Sequence, residues 1–335
     1  MKKIYYITAV FATLFLVGCG DGIDLPGVNV ETDLNKIPLP DNNVNLEQVE
    51  LKPSTEPMLH EGLHTEEDFQ RIRDKKAAGE EPWVSAYQLL VESQFSQKTA
   101  DTYPTEWIKR GISGDENYMN AARGATIVYQ QALRWKIEQD DEYAAKAVEN
   151  LNKWVQTCVG VTGNTNLSLA AGLYGYEFAI AGELLRDYGG WDRADFAAFQ
   201  NWLLKVFYPA NDDFLKRHHD TNALHYWANW CLCNIAAKMA IGIVTDRRDI
   251  YNEGIAHLQT GDTNGRLRRA IYHDYAPDYN FAQWQESGRD QGHTLMCVGL
   301  MGIICQLAWS QGDDFFAYDD NLFLRACEYA ACCNY

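Results

Sequence analysis

Two stretches, Cys231 to Ile243 and Leu295 to Trp309, are apolar around most of a helical girth, and this narrows the folds open to the chain. A surface helix carries one apolar stripe; a helix apolar nearly all round must be covered on two sides. Around these two, helix follows helix. Pro82-Trp83 opens one through Phe95, with proline in the tolerated first turn. Tyr118 to Ile137 places Ala121, Ala125, Val128, Ala132 and Trp135 at helical spacing. Asp141 to Val159, Leu167 to Tyr188, Arg193 to Phe207, Thr221 to Ile243, Arg248 to Gln259, Glu286 to Ser310 and Asn321 to Cys333 repeat the pattern. Turn residues punctuate them at Gly160 to Asn164, Gly189-Gly190, Tyr208 to Asp213, Thr260 to Gly265 and Gly312-Asp313. Alternating strand patterns are almost absent. The expected fold is therefore all-α: an (α/α) toroid or incomplete barrel of antiparallel helix pairs, an inner ring wrapped by an outer one. A solenoid is the rival, but no motif recurs at a fixed period. Leu322 to Tyr335 is apolar and helical with no capping glycine or polar tail, so it reads as a helix cut short in a truncated domain.

Residues 1–19 read as a bacterial lipoprotein signal. Lys2 and Lys3 supply the charged start, Ile7 to Val17 the apolar core, and Leu16-Val-Gly-Cys19 the lipobox. The apolar run is too short for a permanent span. Cys19 is expected to carry the lipid anchor, exporting the protein and hanging it from a membrane, at the periplasmic face or the cell surface. Residues 20–57 hold no helical period and several prolines, a tether; residues 58–335 form the folded domain. Acidic residues outnumber basic ones 46 to 29, a net charge of −17 that repels nucleic acid and anionic headgroups. A local cleft of Arg, His and Asn can still take an anionic sugar. Eight cysteines lie in the folded part, nearly all on apolar helical faces, and are expected to be mostly free, buried thiols despite an oxidising address.

Two polar clusters run into the apolar helices. Trp284-Gln-Glu-Ser-Gly-Arg-Asp-Gln-Gly-His293 puts Gln285, Glu286, Arg289, Asp290 and His293 at spacings of three, four and seven, one face if the segment is helical. In Thr221-Asn-Ala-Leu-His-Tyr-Trp-Ala-Asn-Trp230, Asn222, His225, Tyr226 and Asn229 form a second such stripe. Polar groups entering a core helix are costly without partners. A hydrogen-bonded structural network explains either stripe alone; the two together favour a shared cavity. His, Tyr, Arg and amides are the parts that β-elimination at a uronic acid needs. The C5 proton is weakly acidic until the adjacent carboxylate is neutralised; a base then removes it and an acid protonates the leaving oxygen. No metal or other cofactor is demanded. The adjacent His218-His219 pair has poor geometry for a metal and could sit at a cleft mouth. Arg266, Arg268 and Arg269 read as a solvated basic turn.

His225-Tyr-Trp-Ala-Asn-Trp230 and Gln283-Trp-Gln-Glu-Ser-Gly-Arg-Asp-Gln-Gly-His293 resemble segments of the alginate lyase superfamily. The opening Leu63-His-Thr-Glu-Glu-Asp-Phe-Gln-Arg-Ile-Arg73, with Gly79-Glu-Glu-Pro-Trp83, is similar to one that many members share. The resemblance covers about 60–335 and implies a toroid that degrades uronate polysaccharides by elimination. Better-known members begin one central helix with an adjacent Asn-His pair, and supply an Arg with a Tyr two turns on from a later helix. Here Asn222 and His225 are separated by two residues, and no Tyr follows Arg289. Carried over, the resemblance implies Asn222 as carboxylate neutraliser, His225 as base and Arg289 as carboxylate partner. Tyr226 and His293 are candidate proton donors, with Tyr176 in reserve. Trp227, Asn229, Trp284, Gln285 and Glu286, together with Tyr176, are the expected substrate contacts. The expected partner is an anionic polysaccharide, alginate by family name alone. A glycoside hydrolase using Glu286 or Asp290 as acid, and a non-catalytic glycan-binding lipoprotein, are the alternatives.

Overall fold

The computed structural model describes residues 54–276 and 279–334; the lipobox, Cys19 and the tether up to residue 53 lie outside them. Within this range the chain is helical nearly throughout, and its helices sort into two layers by burial. The inner layer comprises α3 (Tyr118–Glu138), α5 (Leu167–Leu185), α8 (Ala228–Val244) and α11 (Gln291–Ser310). In α5 every residue from Ser168 to Leu185 except Glu177 is buried, and in α8 every residue except Trp230. α3 packs on α5, α5 on α8 and α8 on α11, an arc of neighbouring inner helices.

Outside them lie α4 (Asp141–Thr157), α6 (Arg193–Val206), α7 (Tyr208–Arg217), α9 (Arg248–Thr260) and α12 (Tyr318–Asn334). α4 buries only Tyr143, Ala144, Ala147, Val148, Asn150, Leu151 and Trp154, the single stripe expected of an outer helix. α1 (Glu66–Ala77), which the sequence reading left without a helix, opens with a capping box between Thr65 and Asp68. α2 (Trp83–Glu92) follows it. The stretch Tyr208 to Asp213, expected as a turn, begins α7 with proline in its first turn. Where inner and outer layers meet, Phe178 stacks edge-on to Trp202 at 5.2 Å and Trp202 to Phe207 at 5.1 Å. Such pairs add about 0.5–1.5 kcal/mol each beyond their buried area.

Two small sheets fix the ends of the inner helices. β1 (Trp107–Arg110) precedes α3 and pairs in parallel with β2 (Gly160–Gly163), which precedes α5. That pairing sets the N-termini of α3 and α5 at one end. After the short α10 (Leu267–Ala270), β3 (Ile271–Asp274) and β4 (Ala282–Trp284) form an antiparallel pair leading into α11. The side chains of Gln285 and Glu286, just before α11, accept from the backbone N–H groups of Ala228 and Asn229 at the start of α8. All four inner helices therefore begin at one end of the arc, called here the rim.

The opposite end, the base, is crossed by residues 54–65. The Gln311 side chain after α11 bonds the Leu59 N–H, Leu59 C=O and Glu61 C=O. His60 meets Asp246 after α8 at 2.9 Å. A Cβ on Gly62 would lie 3.3 Å from Glu183 near the end of α5. Ser54, Glu56 and Pro57, expected in the tether, are held by Asn252 and Arg248 through their carbonyls. Beneath the strap, buried Arg186 donates to the last carbonyls of α8, Ile243 and Val244, and pairs with Glu183. It satisfies acceptors that a helix end otherwise leaves orphaned. Every described cysteine is free; five are buried, while Cys332 and Cys333 are exposed.

Candidate active site

The rim gathers the polar groups of both sequence clusters, but not as helical stripes. α8 begins at Ala228, so Asn222, His225 and Tyr226 lie in a loop ahead of it. The reason is local. His218, His219 and Asp220 have φ of 48°, 51° and 59°, in the left-handed region that an α-helix cannot propagate. Asn222 then closes an Asx turn onto the Leu224 N–H at 2.8 Å, and Asn264 clamps the carbonyls of Leu224 and Tyr226. Asn222 and His225 are exposed, and the Asn222 oxygen is committed to its own turn. Tyr226 is 9% exposed. Its ring packs on Phe214, His219 and Trp230, and burial raises its phenol pKa against a hydrogen bond from Thr165.

Likewise Gln285–Gly288 is a short 3-10 turn, and α11 starts only at Gln291 with Asp290 as its N-cap. This break turns the cluster into a scaffold. Glu286 is wholly buried. One of its oxygens takes the Asn229 N–H at 3.2 Å and the other faces Arg289 Nη1 at 3.4 Å. Burial raises the Glu286 pKa, offset in part by the Asn229 N–H and the charges of Arg289 and His293. Arg289 leaves this anchor to lie 5.5 Å from the ring centre of Trp227, a cation–π contact with its side chain still 30% exposed. Asp290 grips His293 twice: Oδ1 accepts the backbone N–H at 2.8 Å, and Oδ2 meets ring Nδ1 at 2.7 Å. Burial opposes ionisation of Asp290, but the two bonds from His293 and the neighbouring charges prevail and hold its pKa low. The same Oδ2 is 3.7 Å from Arg289 Nε, so one carboxylate oxygen joins the His and the Arg. With Nδ1–H given to Asp290, His293 presents Nε2 as an acceptor.

Other expected contacts are placed elsewhere. Trp284 is wholly buried and donates its indole N–H to the Ala326 carbonyl, so it is core and not a sugar platform. Tyr176 is 2% exposed within α5, beside Glu177. Burial holds its phenol far above the ordinary value, and it has no route to a substrate. Asn229 is 2% exposed, its amide nitrogen 3.7 Å from Met296 Sδ and its oxygen enclosed. Met296 also stands two turns after Arg289, where the resemblance would put a tyrosine. The enclosure of Glu286 removes it as a general acid for glycoside hydrolysis. Gln285 spends its side chain on the Ala228 N–H.

The sequence reading missed Thr165 and Ser168, which open α5 at the same rim. Ser168 Oγ meets His219 Nε2 at 2.9 Å. The signal was there, hydroxyls on either side of an apolar helix's first residue, but so common at helix starts that it marks nothing by itself. His218, beside Cys231, is pushed down to about 4 by burial and by the charges of His219 and His225. Among the described residues no cluster of three His, Cys, Asp or Glu could hold a metal ion.

Comparison with known proteins bears on this arrangement. A variant of alginate lyase A1-III complexed with a tetrasaccharide superposes with a TM-score of 0.63 at 13% identity, covering 83% of this chain and 78% of that one. The 1.78 Å crystal structure of alginate lyase A1-III from Sphingomonas species A1 gives 0.58 at 13%, over 83% and 79%. An alginate lyase from Bacteroides ovatus gives 0.55 at 14%, over 80% and 82%. At such identities the likeness establishes the (α/α) toroid fold alone. No curated protein sequence matched the chain. The family model described as alginate lyase matches residues 73–332, most of the chain, and the chain accordingly belongs to the alginate lyase family of polysaccharide lyases.

Proposed function

We propose that the chain cleaves a uronic-acid polysaccharide by β-elimination at the rim, with Arg289 and His293 as its working pair. The observation that carries this is the shared Asp290 oxygen, which sets an oriented imidazole beside a guanidinium fixed by buried Glu286. Arg289 takes the uronate carboxylate and lowers the cost of the developing negative charge. His293 Nε2 removes the C5 proton. The C5–H electrons form the C4–C5 double bond, the C4–O bond breaks, and the imidazolium returns its proton to the leaving glycosidic oxygen. Asp290 stabilises the imidazolium between those two transfers. His225, exposed and with no orienting carboxylate among the described residues, is not assigned as the base.

The test is the ultraviolet absorbance of unsaturated uronate ends, followed on alginate, glucuronan, pectin and glycosaminoglycans. Turnover on one polymer that Arg289→Ala and His293→Ala both abolish supports the reading. Release of reducing ends without absorbance replaces it with hydrolysis, and binding without either leaves a glycan-binding protein. We also propose export and lipid attachment through Cys19; Cys19→Ala should then move the protein from the membrane to the soluble fraction.

A further inference from the structure

A second cavity opens at the same end of the arc, on the far side from α11. It is an open hollow of about 220 Å³ between the first turns of α3 and the residues following α2. Phe95, Gly124 and Ile127 give it an apolar floor. Gly124 cannot be larger, since a Cβ would fall 2.4 Å from Trp154 Nε1. The polar wall is Gln94, Asn120 and Arg123, and Tyr103 stands at the mouth, 74% exposed. Among the described residues these four side chains have no hydrogen-bond, ion-pair or ring partner. Asp101, the one acidic side chain of the lining, is spoken for: Lys146 and Lys153 hold its Oδ1 at 2.6 and 3.0 Å. What remains is an uncommitted guanidinium, two amides and a flat ring around a small hollow.

We propose that this cavity is a second binding site for one uronate residue of the polymer. Arg123 would take the carboxylate, Asn120 and Gln94 the hydroxyls, and Tyr103 the apolar face of the sugar ring. The volume lies below the ~300–1,000 Å³ of sites for drug-sized ligands, and so suits a single ring. From α3 to α11 the arc spans three helix spacings of ~8–10 Å each. A long chain lying along the rim reaches both Arg123 and Arg289; a single sugar reaches one. The choice of uronate rests on the proposed reaction, but the cavity shares no residue with the Arg289 cluster.

The experiment is a saturation-transfer NMR titration of the full chain with sodium D-glucuronate, using wild type, Arg289→Ala, Arg123→Ala, Tyr103→Ala and the Arg123/Arg289 and Tyr103/Arg289 double variants. Arg123 and Tyr103 have no hydrogen-bond, ion-pair or ring partner among the described residues, so their removal should leave folding intact, which thermal unfolding checks. Saturable binding should persist in Arg289→Ala, weaken about tenfold or more, the loss of ~1.4 kcal/mol, when Arg123 or Tyr103 is also removed, and exceed that of uncharged glucose. Binding that disappears with Arg289 and ignores Arg123 overturns this site and spares the rim. Binding that needs Arg123 and ignores Arg289 keeps this site and counts against the rim. No saturable binding in any variant overturns the inference.

Discussion

Asp290→Asn separates catalysis from stability at a single residue. The carboxylate has two duties: it caps α11 through the His293 N–H and it orients the His293 ring. Asn caps about as well as Asp. The loss is the favourable charge at the helix N-terminus, about 0.3–1 kcal/mol, plus a partly exposed pair with Arg289 worth a few tenths at most. The total is about 1 kcal/mol, a fall in Tm of roughly 2–4 °C. The chemical effect is larger. If the Asn oxygen keeps the backbone N–H, its NH2 faces ring Nδ1 and drives the ring proton to Nε2, the nitrogen proposed as the base. A wrong tautomer, or a ring about 1 Å out of place, costs about 10²-fold or more, near 3 kcal/mol in the barrier. Asp290→Ala loses the cap as well, about 1 kcal/mol further. Initial rates from product absorbance, set against Tm for both variants, give the answer. Asn retaining more than about a third of the wild-type rate, or rates falling only in proportion to stability, would refute the role given to Asp290.

Glu177 supplies a pH test. Although the residue as a whole is only half-buried, its Oε2 is enclosed with no hydrogen-bond partner among the described residues, and desolvation raises its pKa to about 8 against the lowering effect of a hydrogen bond with Tyr176. The unfolded chain ionises it near 4.5, so folding binds a proton: this contribution to stability is complete below 4.5 and is lost as pH rises through about 8. Urea midpoints should therefore decline across that window in wild type, by at most ~1.4 kcal/mol per pH unit, and decline less in Glu177→Gln; equal slopes would sink the assignment. Lys238, wholly buried between Asp212 at 2.8 Å and Glu253 at 2.5 Å, should cost about 2 kcal/mol as Lys238→Met in urea unfolding. The figure stays below that for a fully buried pair because the two carboxylates keep 21% and 39% exposure and can rehydrate. Gly163 has a φ of 142°, and a Cβ there would lie 1.7 Å from the Arg110 carbonyl oxygen. Gly163→Ala should lower stability by about 2 kcal/mol or more and weaken turnover by splaying β1 from β2; an unchanged Tm would contradict the register described.

The helices that bury a stripe or a full girth were legible because burial leaves a period in the sequence. Tyr118–Glu138, Asp141–Thr157 and Arg248–Thr260 follow the apolar spacing to within a residue or two. The failures share a cause. Thr221 to Trp227 has helical spacing, but three left-handed residues precede it, and α8 takes its first hydrogen bonds from Gln285 and Glu286, far along the chain. Capping by a distant side chain leaves no local mark. α1 and α7 carry short or interrupted apolar patterns; α1 is marked only by its Thr65–Asp68 capping box, and α7 has Pro209 in its first turn and no side-chain cap. At the site, Arg289 and His293 were visible as chemistry in a polar run, whereas the dependence of both on Asp290 needed the turn at Gln285–Gly288. Trp284 and Tyr176 were misplaced for the opposite reason: an aromatic side chain in sequence does not say whether it faces sugar or core.

The strap across the base gives the molecule a front and a back. A chain entering at Ser54 passes beneath the ends of α8, α5 and α11 before α1 begins, while all four inner helices open on the other side. Tension applied upstream of Ser54 is shared among Asn252, Arg248, Asp246 and Gln311, side chains of several elements, and so does not peel one helix away at a time. Were the proposed lipid at Cys19 to hold the chain, it would pull on this floor, on the side opposite the Arg289 cluster.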